Sequence, residues 1–98
     1  TYSMAKGGVI NLTKQMASYY GKYNVRINCL SLGGVKGPVV GLSEKQNINF
    51  IKQYSNNVPM KRLANSSEIC GAVIFLSSKA SSYITGINLL IDGGYTAI

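Results

Sequence analysis

The chain has 98 residues, 46% of them hydrophobic and 13% charged, a balance that suits one modest globular domain and excludes a disordered segment. Ten basic residues against three acidic ones give a net charge of +7, yet the cations fall singly between Lys6 and Lys79, apart from the pair Lys61-Arg62. No patch therefore marks a nucleic-acid surface, and no apolar run approaches the roughly 18 residues of a membrane span, so neither nucleic acid nor membrane is expected as a partner.

From Ser3 to Gly21 the periodicity predicts a helix, with Ala5, Leu12, Met16 and Tyr19 on one side, Val9 and Ile10 close by, and Gly21 as its stop. The pair Gly7-Gly8 weakens its first turns by about 1 kcal/mol per glycine relative to alanine, which a helix tolerates where something approaches its backbone. Val25 to Leu30 alternates apolar and polar residues and reads as a strand that ends in the glycine-dense loop SLGGVKGPV. A weaker helical pattern covers 43 to 55 through Ile48, Ile51 and Tyr54, and Pro59 ends that region. Ser66 or Ser67 is then expected to cap a helix from Glu68 to Ser78, with Ile69, Val73 and Leu76 on one face. After a turn at Gly86, INLLID is a continuous apolar run of the kind found in strands buried on both faces of a parallel sheet, and Asp92-Gly93-Gly94 ends it, with Asp92 as a turn-former. Strands alternating with helices indicate an α/β fold with a parallel sheet, although two strands leave the one at 25 to 30 in need of neighbours. Cys29 and Cys70 have no metal-ligand spacing and no histidine beside them, so no metal site is expected. They read instead as two buried free thiols of a reducing, cytoplasmic compartment.

Tyr2 and Lys6 stand four residues apart, which places them on one helix face a turn apart. A free phenol titrates near ~10, and a cation within several ångströms favours its phenolate. Such a pair can move a proton to and from a carbonyl or alcohol oxygen. By itself Y-x-x-x-K is a short pattern, and a surface Tyr and Lys at ordinary helical spacing accounts for it equally well. The glycine-rich loop likewise has the plain reading of a strand-to-helix connection.

Four stretches in order, YSMAKGGVINLTKQMA, NVRINCLSLGGV, MKRLANSSEICGAVIFLSS and SSYITGINLLIDGGYTA, together resemble the short-chain dehydrogenase/reductase family over essentially the whole chain. The resemblance implies the C-terminal portion of a Rossmann-like doubly wound parallel sheet and an oxidoreductase that uses NAD or NADP to interconvert an alcohol and a ketone. It implies Tyr2 as general acid/base and Lys6 as the cation that favours its phenolate and holds the nicotinamide ribose hydroxyls. It places the loop Leu32, Gly33, Gly34 and Val35 beside the cofactor, with the backbone of Val35 on the carboxamide. Leu32 stands where the family usually has proline and Gly37 where a threonine often contacts the pyrophosphate, which weakens but does not abolish those contacts. The segment 38 to 60 corresponds to the family's variable substrate lid, and Phe50, Ile51 and Tyr54 divide between pocket lining and helix packing.

The family's glycine turn, its ribose-binding acid and its upstream asparagine and serine have no counterpart among these residues. The chain is therefore expected to be the C-terminal part, 1 to 98, of a protein of roughly 250 residues, and to be inactive alone. A homo-oligomer, dimer or tetramer, is implied by the family's helix and strand surfaces. A non-catalytic assembly fragment remains the competing reading, and the substrate stays open between sugar-linked and acyl-linked carbonyls.

Overall fold

A computed structural model describes residues 2 to 37 and 48 to 98. Helix α1 covers Tyr2–Tyr20, strand β1 Cys29–Leu32, helix α2 Ile48–Asn57, helix α3 Ser66–Ser77 and strand β2 Asn88–Ile91. β1 and β2 are hydrogen-bonded neighbours. The Cys29 N–H donates to the Ile87 carbonyl and the Gly33 N–H to the Ile91 carbonyl, so both strands advance four residues in the same direction and the pair is parallel. The chain divides into two compact units, Thr1–Ser31 with Val73–Leu89 and Leu32–Ala72 with Leu90–Ile98.

In the first unit α1 ends at Tyr20, directly before the glycine expected as its stop. A short 3-10 turn follows over Gly21–Tyr23, and Asn24 takes the left-handed conformation at φ 60°. The Asn24 N–H bonds the Gly21 carbonyl and the Val25 N–H the Tyr20 carbonyl, which satisfies carbonyls at the helix end. The face of α1 that is buried is also a different one. Thr13 and Ala17 are buried, whereas Val9, Leu12, Met16 and Tyr19 are exposed. The Thr13 hydroxyl is satisfied by donating to the Val9 carbonyl, and a Cβ at Gly86 would stand 3.3 Å from that of Ala17, a close approach of turn and helix.

The strand expected at 25 to 30 forms instead at Cys29–Leu32. Side chains replace the regular ladder before it. The Ile27 N–H donates to Thr85 Oγ1, and Asn28 both donates to the Ile84 carbonyl and accepts from the Ile87 N–H. The Arg26 guanidinium donates to the Ser78 and Ile84 carbonyls and to Ser81 Oγ. Cys29 is half-buried and Cys70 exposed, so the expectation of two buried thiols fails. Cys70 lies on an outer face of α3, where apolar sequence neighbours do not imply burial.

In the second unit Val58 and Leu63 are each 1% exposed and form the packed centre. The helical pattern expected at 43 to 55 runs from Ile48 to Asn57 in the described part, and residues 38 to 47 lie outside it. Asp92 is the expected turn-former: its carboxylate accepts the Gly94 N–H, the Thr96 N–H and the Thr96 hydroxyl. These bonds, the Thr96 hydroxyl first, hold its pKa below the ordinary carboxylate value. Gly93 is required twice over, by its φ of 62° and because a Cβ there would lie 2.8 Å from Val58 Cγ1.

Candidate active site

Tyr2 opens α1 and Lys6 follows one turn later. The Lys6 ammonium lies 5.4 Å from the centre of the Tyr2 ring, within the range of a cation–π contact. Tyr2 is 74% exposed, so its hydroxyl is open to an incoming oxygen. At Gly7 and Gly8 no atom of the described residues, apart from the adjoining helix itself, lies within 4 Å of where a Cβ would stand.

The loop after β1 belongs to the second unit and is tightly bonded. The Gly33 N–H goes to the Ile91 carbonyl, the Gly34 carbonyl accepts from the Ala64 N–H, and the Lys36 N–H donates to the Ala64 carbonyl. Val35 and Ala64 form a parallel bridge. The two glycines have packing reasons: a Cβ at Gly33 would stand 2.9 Å from Asp92 Cα, and one at Gly34 would stand 2.6 Å from Leu63 Cδ2. Leu32 ends β1 half-exposed. Gly37, where the family often carries threonine, sits at φ 147°, a conformation that threonine would adopt only with strain. The structure thus brings Tyr2 and Lys6 together within one unit and orders Leu32 to Val35 within the other.

Two features went unread in the sequence. The first is Tyr54, whose hydroxyl accepts the Gly34 N–H at 2.8 Å. Its ring stacks on Tyr95 at 5.9 Å and 8°. No sequence signal marks that contact, because it joins residues twenty apart in the chain. The second is the start of α3. The cap position is Asn65, not Ser66 or Ser67: its N–H donates to Glu68 Oε1 while its carbonyl accepts the Glu68 N–H. The pattern N-x-x-E carried that signal. Glu68 also takes a bidentate pair from Arg62 at 2.6 and 2.9 Å. Arg62 first, and then the Asn65 N–H, push its pKa down from 4.5 to about 2. Tyr54, Met60, Arg62, Glu68 and Asp92 border a cavity of about 90 Å³, too small for a cofactor. Among the described residues no cluster of His, Cys, Asp or Glu could hold a metal ion, and no helix is long and apolar enough to cross a membrane.

Residues 1 to 96 match the family described as enoyl-(acyl carrier protein) reductase. The chain belongs to the short-chain dehydrogenase/reductase family, and its fold is the C-terminal portion of a Rossmann-like α/β sheet. It is 40% identical over 95 residues to a D-arabinitol 2-dehydrogenase (ribulose-forming) of Candida albicans, covering 96% of this chain and 34% of that protein. It is 39% identical over 97 residues to an NADH-dependent L-xylulose reductase of Ambrosiozyma monospora, covering 98% of this chain and 36% of that one. Among solved structures, a short-chain dehydrogenase from Leptospira borgpetersenii with bound NAD+ superposes with a TM-score of 0.83 at 42% identity, over 97% of this chain and 35% of that one. The chain thus spans about a third of the length of the relatives it matches.

Proposed function

We propose that the protein is an NAD(P)-dependent oxidoreductase that interconverts a secondary alcohol and a ketone, with Tyr2 as the general acid/base. The observation that carries the reading is the Tyr2–Lys6 pair, one turn apart on an exposed helix face with the ammonium 5.4 Å from the ring. A phenol and an ammonium are a donor set that fits a substrate oxygen together with the hydroxyls of a ribose. The nicotinamide, when bound, supplies or accepts the hydride. In reduction Tyr2 Oη gives its proton to the carbonyl oxygen, and in oxidation it takes the proton of the alcohol. Lys6 stabilises the negative charge left on Tyr2 Oη and holds the ribose hydroxyls. The backbone of Leu32 to Val35 contacts the nicotinamide side of the cofactor, and the lid at 38 to 60 shapes the substrate site. The names of the pentitol dehydrogenase and pentulose reductase among its relatives support a polyol or ketose as the substrate class.

The test is an assay of the full-length protein with NAD+ or NADP+ against a panel of polyols and simple secondary alcohols. Alcohol-dependent appearance of reduced nicotinamide, strongest with a polyol, is the expected result. Absence of turnover with both cofactors across the panel and across the matching ketones would contradict the reading.

A further inference from the structure

The loop that follows β1 is held by backbone bonds at Gly33, Gly34 and Lys36 and by a side chain, that of Tyr54. The Gly34 N–H donates to Tyr54 Oη at 2.8 Å. Position 34 has no Cβ, and the space a Cβ would fill is taken by the Tyr54 ring, whose Cε1 would stand 2.7 Å from it. The ring is itself placed from elsewhere. It stacks on Tyr95 at 5.9 Å and packs against Phe50 at 6.0 Å. Tyr95 lies in the turn that Asp92 closes through Thr96. Tyr95 and Phe50 hold the ring, and its hydroxyl bonds the loop, so removing that one oxygen leaves the ring's supports in place.

α2, which carries Tyr54, lies in the segment proposed as the substrate lid. We infer that Tyr54 is a positioning residue that locks the 33–36 loop in its cofactor-binding conformation and ties that conformation to the lid helix. The inference rests on the proposed contact between this loop and the nicotinamide. Freed of its acceptor, the Gly34 N–H turns toward water, and the loop loses one of the bonds that hold it beside the Val35–Ala64 bridge. The cofactor then has to restore an order that the unsubstituted protein already holds.

The experiment compares Tyr54→Phe and Tyr95→Phe in the full-length protein. Tyr54→Phe keeps the stacked ring and deletes the hydroxyl; Tyr95→Phe keeps the stack and leaves the Gly34 bond intact. Loss of one hydrogen bond predicts amide exchange at Gly34 faster by about two- to tenfold in Tyr54→Phe, with a similar rise in cofactor KM. kcat should change by less, and Tyr95→Phe should match the unsubstituted protein. Unchanged Gly34 exchange, or an equal KM rise in Tyr95→Phe, overturns the inference. A parallel titration separates it from the reading beneath it. If cofactor shifts the Gly33–Val35 amide resonances of the unsubstituted protein but KM is unmoved in Tyr54→Phe, the positioning role alone is refuted. If cofactor leaves those amides unmoved, the cofactor contact fails and the inference falls with it.

Discussion

A methyl group added at position 34 has nowhere to go. In Gly34→Ala the new Cβ would stand 2.6 Å from Leu63 Cδ2, 2.7 Å from Tyr54 Cε1 and 3.0 Å from Tyr54 Cζ. Leu63 is 1% exposed and cannot swing into solvent, so the Tyr54 ring or the loop must shift. Overpacking of this kind costs about 1–3 kcal/mol, and displacing Tyr54 forfeits a hydrogen bond of about 0.5–1.5 kcal/mol. The stiffer unfolded chain returns only about 0.4–1 kcal/mol. The net effect is a destabilisation of about 0.5–4 kcal/mol, which lowers Tm by roughly 1–16 °C in a domain of about 150–250 residues. The same substitution at Gly71 has the opposite sign. Among the described residues nothing beyond the adjoining helix lies within 4 Å of its Cβ position on α3, and alanine in an open helix position gains about 0.5–1 kcal/mol. Thermal unfolding followed by circular dichroism, with both variants beside the unsubstituted protein, reads the contrast directly. A Gly34→Ala protein as stable as Gly71→Ala would refute the packing argument.

Lys6→Met should lower turnover and weaken cofactor binding together, because one ammonium serves both; unchanged values of both in steady-state kinetics would exclude the dual role. Glu68, held at about 2 against an ordinary 4.5, contributes stability that is complete above about pH 4.5 and is lost as pH falls toward about 2. Glu68→Gln should therefore flatten the acid limb of a stability-against-pH curve in that window, and parallel curves would show that the Arg62 pair contributes nothing. The 98 residues by themselves should show no tight binding of NAD(H) or NADP(H) by calorimetric titration, since no glycine turn is present to hold a pyrophosphate, and micromolar binding would place the affinity in the wrong contacts.

The order of elements was legible because each carries a local signal. Period and length mark α1 and α3, and an unbroken apolar run marks β2. What the sequence could not show is which surface each element buries. The stripe through Val9, Leu12, Met16 and Tyr19 is the most apolar face of α1, yet Thr13 and Ala17 are the residues covered, because a small residue at 17 admits the Gly86 turn. β1 begins at Cys29 and not at Val25 because Thr85 and Asn28 side chains take over the bonds that a ladder would make. The Tyr2–Lys6 spacing was readable as one turn of helix, and the ring-to-ammonium contact follows from it. Tyr54 was visible only as a helical aromatic; its bond to Gly34 joins residues twenty apart, which helical period does not report.

The central claim is that Tyr2 moves the proton. Its most direct measurement is the turnover of Tyr2→Phe in the full-length protein, with cofactor affinity determined on the same preparation. The exchange deletes one hydroxyl from a side chain that is 74% exposed, so folding should be unaffected. The account predicts a loss of turnover of about 10²–10⁴-fold with cofactor affinity nearly intact. A variant that keeps more than about half of the normal turnover, where that loss is expected, would contradict it.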